Sequence, residues 1–394
     1  MKRYLFCLGT AADLAACEIH HVLAREGQSP ETYSLQDDIL QIDSSQPLDT
    51  PYLMSQLGGT IKIAEIIQTT ADIGYEQLAV ILSKQGPKLR DFGVSVYGKR
   101  QLPIVKWLQQ IKTALEQKGI KARYVLAKEQ QLSSVVVKKQ KLQEYILFFD
   151  SQKSEWLIAA TLVVQDVDAW SARDYSRPFA DPKSGMLPPK VARMMVNISL
   201  PQLPNPMIYD PFCGMGTILA EGLLMGATVY GSDYLDPVVQ KAQANITWLQ
   251  KTYPQTNEKN VSVFVADATH KTEHIAKNTL DAIVTEPFMG APFEMRGTTL
   301  YHKRREVNVK TVENMTKGLE KLYIGAFRNW HGLLKDKGKI CIVLPHIQYQ
   351  NRHYSVKKLV DNCERLGYTL SEGPYMYARP QAIVKRYIYV FKKS

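Results

Sequence analysis

The rhythm of hydrophobic and polar positions divides the chain. From Met207 onward, apolar runs of strand length (MIYD, ATVYGSD, VSVFVADA, LDAIVTE and GKICIVLP) alternate with helical segments, including a long one from about Thr311 to Leu334. Along that segment Val312, Met315, Leu319, Leu322 and Ala326 form an apolar stripe suited to packing on a sheet. Strands alternating with helices predict βαβ units with right-handed crossovers and a parallel sheet covered on both faces. The closing stretch GPYMYARPQAIVKRYIYVF holds two strand-like runs joined too tightly for a helix, so they are expected to pair antiparallel.

The first half reads differently. Tyr4 to Leu8 predicts a strand followed by an amphipathic helix, and strand-like and helix-like runs continue to about Ile67. From Phe92 to Gln165 the pattern predicts a strand (FGVSVYG), a helix with Val105, Leu108, Ile111 and Leu115 on one face, and then the strands ARYVLA, SSVVVKK and EYILFFD/EWLIAATLVV. The proline-rich stretch DVDAWSARDYSRPFADPKSGMLPPK predicts an irregular linker, and VARMMVNISL a helix. The expected organisation is an α+β region at 1–70, a small α+β module at 71–165, a linker at 166–190 and an α/β domain at 191–394.

Charge adds a second division. The 394 residues carry a net +11, but residues 1–80 are at −7 and residues 81–160 at +9. A basic block of that size is the electrostatic footprint of a polyanion-binding surface, or a solvated lysine-rich face. No apolar run reaches the length of a membrane span. Five scattered cysteines without a CxxC pair, and no histidine pair at ligand spacing, argue against a zinc or redox centre and suit a reducing cytoplasm.

Candidate chemistry gathers at the ends of the predicted parallel strands, where open α/β sheets bind ligands. The first ends in DPFCGMGTILAE (residues 210–221), in which Gly214 and Gly216 permit a tight turn and Thr217 is placed to cap a helix. The second ends in Asp233, placed for the hydroxyls of a ribose; the third in Asp267–Ala268, placed for an adenine amine; the fourth in Glu286–Pro287–Phe288. Four successive acidic tips suit a ligand bringing positive charge. A nicotinamide fingerprint wants a third glycine where Leu219 stands, and GxxxxGK[ST] is missing, which excludes a P-loop.

Together these motifs resemble the class I S-adenosylmethionine methyltransferases. More narrowly, the chain resembles the tRNA guanine-N2 methyltransferases that carry an N-terminal THUMP RNA-binding domain. The likeness extends to YLFCLGTAADLAACEIHHVL, LGGTIKIAEI, FGVSVYG, RDYSRPFADPKSGMLPPKVARMMVNIS and YARPQAIVKRYIYVF. It implies a Rossmann-like methyltransferase sheet, parallel with an antiparallel terminal strand pair, preceded by an α+β region and a THUMP-like RNA-binding module. It also implies S-adenosylmethionine as cofactor and tRNA as partner, and it fits a cytoplasmic protein, with a monomer favoured. Asp210, Phe212, Gly214, Gly216 and Thr217 would hold the methionine end, Asp233 the ribose, and Asp267 with Ala268 the adenine. Glu286, Pro287 and Phe288 would hold the target base. The family's tip is typically Asp-Pro-Pro-Tyr or Asn-Pro-Pro-Tyr; this chain has Glu-Pro-Phe-Met.

Rival readings are an amine methyltransferase acting on DNA or another RNA, an RNA-binding protein that keeps the cofactor fold without turnover, and a nicotinamide oxidoreductase. Leu219 and the acidic tips disfavour the last. Arg173, Asp174, Arg177 and Arg193 offer contacts to RNA phosphates or a cofactor carboxylate, or a salt bridge between linker and domain. The HKRRE run at 302–306 is a guide for RNA or a solvated charge run.

Overall fold

The structure is a computed structural model that describes residues 1–127, 129–181, 186–257, 260–290, 294–296, 299–302, 305–378 and 382–394. Two compact units divide it, residues 1–169 and 170–394.

The first unit contains β1 (Lys2–Leu8), α1 (Ala12–Arg25), β2 (Thr32–Gln36), β3 (Ile39–Ser44), α2 (Thr50–Gln56), β4 (Thr60–Thr70), α3 (Tyr75–Ser83), β5 (Asp91–Tyr97), α4 (Ile104–Gln117), β6 (Arg123–Tyr124), α5 (Ser134–Gln140), β7 (Gln143–Asp150) and β8 (Glu155–Val164). Its strands form one sheet in the order β2-β3-β1-β4-β8-β7-β5-β6. Because β4 pairs with β1 on one side and β8 on the other, the sheet runs without a break through residues 1–70 and 71–165. Lys62 and Glu144 are buried between strands as an ion pair, and Glu144 also accepts from Ser95 and Thr161.

Three local expectations differ from this structure. SSVVVKK is the helix α5, not a strand: the Ser133 hydroxyl accepts from the Val136 N–H, and this cap outweighs the β-preference of three valines. Of ARYVLA only Arg123–Tyr124 is strand. On α4, Leu108, Ile111 and Leu115 are buried but Val105 is 57% exposed, because it lies in the first turn, ahead of the buried stripe.

The boundary between the units falls within α6 (Val167–Tyr175), so the expected irregular linker begins as a helix. The second unit continues with α7 (Pro189–Ser199), β9 (Met207–Asp210), α8 (Thr217–Leu224), β10 (Thr228–Asp233), α9 (Asp236–Thr252), β11 (Val261–Val265) and β12 (Leu280–Thr285). A small antiparallel sheet follows, β13 (Glu294–Arg296), β14 (Thr299–His302) and β15 (Arg305–Glu306). The chain closes with α10 (Val309–His331), β16 (Leu334–Tyr349), β17 (Arg352–Ser355), α11 (Lys357–Asp361), β18 (Tyr368–Tyr377) and β19 (Val384–Lys393). Lys303 and Arg304 of the HKRRE run lie outside the described residues.

The main sheet has the order β11-β10-β9-β12-β16-β19-β18. Its first five strands are parallel, and β19 lies antiparallel between β16 and β18. Successive crossovers place β10 and β11 on one side of β9 and β12 on the other, so a crevice opens between the carboxyl ends of β9 and β12. On one face α10 buries Leu319, Tyr323, Ala326, Phe327 and Trp330 over Tyr209, Ile283, Ile340 and Ile342. Val312 and Ala326 of the expected stripe are fully buried, whereas Met315 and Leu322 are partly buried. On the other face α8 approaches so closely that a Cβ on Gly222 would stand 2.5 Å from Ile208. Leu219, where a nicotinamide fingerprint wants glycine, is fully buried against Gly231 of β10. The space a third glycine would leave on the helix is supplied by the strand instead.

Candidate active site

The strand ends of the second unit open into a cavity of about 860 Å³. It is lined by Asp210, Phe212, Gly214, Thr217, Asp233, Asp267, Ala268, Glu286, Pro287 and Phe288. Of the residues singled out from sequence, Gly216 does not line it. Gly216 is buried under the turn with φ +81°, and a Cβ there would rest 3.6 Å from Ala242. Gly214 also has a positive φ, +51°, so the turn uses two left-handed residues that any side chain would strain. Gly216 is itself the N-cap of α8; Thr217 is the first helical residue and caps nothing. Its hydroxyl accepts instead from Arg177 Nη1 at 2.8 Å.

The acids at the tips have different partners. Asp210 is buried; its Oδ1 accepts the Thr285 hydroxyl at 2.6 Å and the Phe212 N–H at 3.1 Å, tying the ends of β9 and β12 together. Burial, with Asp233 and Glu286 nearby, pushes its carboxyl up to about 7 against the pull of those hydrogen bonds. Asp233 accepts the Gly214 N–H at 3.2 Å and the Leu235 N–H at 3.1 Å, so it braces the glycine turn while facing the cavity. Asp267 accepts from Thr269 through both N–H and hydroxyl and faces His270 Nδ1 at 3.1 Å. Partial burial raises its carboxyl, but the Thr269 and His270 hydrogen bonds outweigh that and hold it below the usual range.

The fourth tip is gripped from several sides. Glu286 Oε1 receives Arg386 Nε at 2.6 Å, and the Leu187 N–H also bonds to the carboxylate. Burial raises the Glu286 carboxyl and Arg386 works against it. Pro287 is buried, and the Phe288 carbonyl accepts the Tyr323 hydroxyl at 2.7 Å, which fixes the tip against α10. Phe288 stays 58% exposed, and Tyr234, which also lines the cavity, is 73% exposed. A rigid backbone thus presents an uncovered aromatic face to the cavity.

Arg386 was not singled out from sequence. It lies 100 residues from Glu286, and a lone arginine in a strand has no local signature. Arg173 forms the salt bridge between linker and domain weighed for it: Arg173 Nε and, from α7, Arg193 Nη2 meet the two oxygens of Glu221 at 2.9 and 2.7 Å, with Trp170 stacked on Arg173.

The lining suits S-adenosylmethionine. The volume accommodates a nucleoside with an amino-acid arm, an acid stands at each of the four strand ends, and the cluster of carboxylates matches a sulfonium charge.

Residues 175–298 match the UPF0020 family, described as the RMKL-like methyltransferase domain. A tRNA (guanine(10)-N2)-dimethyltransferase of Pyrococcus abyssi is 36% identical over 148 residues, 38% of this chain and 39% of that protein. The enzyme of the same name from Methanothermobacter thermautotrophicus is 33% identical over 175 residues, 44% and 43% of the two chains. The chain therefore spans about two-fifths of the length of these curated relatives. The crystal structure of TrmN from Thermus thermophilus superposes with a TM-score of 0.54 at 14% identity, covering all of both chains, a likeness of fold. The stretch that matches the RMKL-like methyltransferase domain, residues 175–298, lies in the second unit and contains the four strand tips of the cavity.

Proposed function

We propose that the protein transfers a methyl group from S-adenosylmethionine to the exocyclic N2 amine of a guanosine in tRNA. The observation that carries this reading is that the Glu286–Pro287–Phe288 tip lines the same cavity as Asp233 and Asp267. The activity named for the Pyrococcus abyssi and Methanothermobacter thermautotrophicus relatives, guanine-N2 dimethylation of tRNA, suggests the substrate class.

In this reading Asp210, Phe212, Gly214 and Thr217 surround the methionine end, with Gly216 shaping the turn. Asp233 accepts from the ribose hydroxyls, and Asp267 with Ala268 meets the adenine. When bound, the cofactor supplies an electrophilic methyl on a cationic sulfur. The residues must do the rest. A guanine amine is a weak nucleophile because its lone pair is delocalised into the ring. Phe288 stacks on the extruded base, and the largely buried Glu286 carboxylate accepts an amine N–H as the nitrogen becomes tetrahedral. S-adenosylmethionine held by Asp233 and Asp267 would supply the methyl and be left as a neutral thioether, and the proton lost by the amine would pass to water beside the Glu286 carboxylate. Pro287 and the Tyr323 hydrogen bond keep the tip from yielding, so the amine stays in line with the methyl.

Residues 71–165 form the THUMP-like, RNA-binding part of this reading. The net charge of +9 on residues 81–160 supports it, because phosphate neutralisation dominates tRNA affinity. A cytoplasmic monomer completes the proposal; among the described residues no helix is long and apolar enough to cross a membrane.

The test is methyl transfer from labelled cofactor to bulk tRNA, followed by nucleoside analysis. N2-methylated guanosine is the expected product. Methylated adenine or cytosine in DNA or RNA would replace this reading with another amine methyltransferase. Cofactor binding without product on any nucleic acid would favour a non-catalytic RNA-binding protein.

A further inference from the structure

We infer that Arg386 is the positioning residue of this transfer: it grips the Glu286 carboxylate, holds it ionised and aims it at the amine. The inference rests on the functional reading above, but its geometry does not depend on it.

The position of Arg386 follows from the sheet. Thr285, the last residue of β12, pairs with Ile342 of β16, which pairs with Tyr389 of β19. Arg386 stands opposite Pro345, three residues farther along β16 than Ile342. β16 and β19 therefore outrun β12 and form a wall beyond its tip. From that wall the Arg386 side chain reaches back past β16 to Glu286. Adjacent strands lie about 4.8 Å apart, so β12 and β19 are roughly 10 Å apart, a span that a long arginine and a long acid close together. The pair meets at 2.6 Å, with the two side chains 18% and 15% exposed. An aspartate at 286 would be one methylene short of this partner. The longer acid in the tip and the arginine on β19 fit each other.

The charges facing Glu286 give the pair its purpose. From β9 comes the Asp210 carboxylate, from α10 the Tyr323 hydroxyl, and from residue 187 a backbone N–H. Among the described residues, Arg386, on β19, is the cation in this set. Without it Glu286 would sit largely buried beside another acid, and its carboxyl would hold a proton to higher pH. A protonated carboxyl keeps one weaker acceptor oxygen and turns the other into a donor where the reading requires an acceptor. Arg386 need not touch the base; it acts through Glu286.

The test uses the full-length protein, tRNA and S-adenosylmethionine, with single-turnover rates measured between pH 6 and 9.5. Arg386→Met is expected to slow methyl transfer about 10- to 100-fold at pH 7, while cofactor affinity stays within about twofold. Part of the rate should return as pH rises, because the unpaired carboxylate ionises later. Arg386→Lys, which keeps the charge, should restore the wild-type pH profile. Arg386→Met combined with Glu286→Gln should be no slower than Glu286→Gln alone. If the methionine variant fails to fold, Arg386→Gln keeps hydrogen bonding without charge and is read in the same way.

A substrate-free readout separates the two levels. Carbon-13 NMR of labelled glutamates, with Glu286 assigned by difference against Glu286→Gln, should show it titrating at higher pH in Arg386→Met. Methylguanosine formation by the wild type, together with an Arg386→Met pH profile parallel to it, would overturn the role of Arg386 alone. No shift in the Glu286 titration would do the same. Failure of the wild type to methylate guanosine in any RNA would overturn the functional reading and, with it, the role of Arg386 in transfer.

Discussion

Replacing Glu286 with glutamine keeps the length of the side chain and one acceptor oxygen but removes the charge that Arg386 meets at 2.6 Å. Two costs follow. In the ground state a charge-assisted hydrogen bond becomes an ordinary one, a loss of about 1–2 kcal/mol for a partly exposed pair. For a unit of this size that lowers the melting temperature by about 2–8 °C. In the transition state the acceptor facing the amine weakens just as the N–H groups become more acidic, and the rate should fall by roughly 10- to 1000-fold. That corresponds to about 1.4–4 kcal/mol of barrier. Single-turnover transfer of labelled methyl to tRNA reads the second cost, calorimetry of S-adenosylmethionine binding provides the control, and thermal melting reads the first. Glu286→Asp sharpens the test, because it keeps the charge but withdraws the oxygen by about one carbon–carbon bond from both Arg386 and the amine, a misplacement expected to cost on the order of 100-fold. Near-normal turnover by both variants on the authentic RNA would refute the role given to this acid and leave it a brace between β12 and β19.

Three further outcomes are expected. Asp233→Ala should weaken S-adenosylmethionine binding by about 1.5–3 kcal/mol in calorimetry, since Asp233 both faces the cavity and braces the Gly214 N–H. Neutralising the exposed Lys118, Lys121, Lys138 and Lys139 should weaken tRNA binding and flatten its salt dependence, with cofactor affinity unchanged; Lys138 already pairs with Asp166 at 2.9 Å, so its share should be the smallest. Asp210 is raised in the fold from its ordinary value to about 7, so its contribution to stability is complete below about pH 4 and is lost as pH rises through 7. Asp210→Asn should therefore flatten the pH dependence of chemical unfolding over that window, and an unchanged slope would count against a neutral Asp210 in the free protein.

Much of the second unit could be read from sequence because its signals are local. The turn between β9 and α8 needs glycine at both left-handed positions, and each parallel strand announces its end with an acid. Interactions between distant residues were not legible. Glu286 looks like a solitary acid until β19 brings Arg386 to it from 100 residues away. Asp210 reads as a cofactor contact, yet the bonds its Oδ1 accepts tie it to Thr285 and Phe212. Leu219 reads only as a missing glycine until Gly231 is seen opposite it. In SSVVVKK, β-propensity misled because a single serine cap decides such a short segment.

The unequal treatment of the four acids has a physical logic. In methyl transfer the positive charge on sulfur disappears as the bond breaks, so a bare carboxylate close to it stabilises the reactant more than the transition state. Such an interaction tightens binding but slows chemistry. Asp233 and Asp267 end the second and third parallel strands, and Asp267 is held below the usual range by its own hydrogen bonds. Asp210, deep under the turn, is pushed toward neutrality by burial. Glu286, the acid at the tip proposed to hold the base, instead carries its own counter-charge in Arg386. An ion pair has a much weaker field at a distance than a lone carboxylate, but its oxygens still accept hydrogen bonds at contact range. Glu286 can therefore serve the nucleophile without anchoring the charge that the reaction must dissipate.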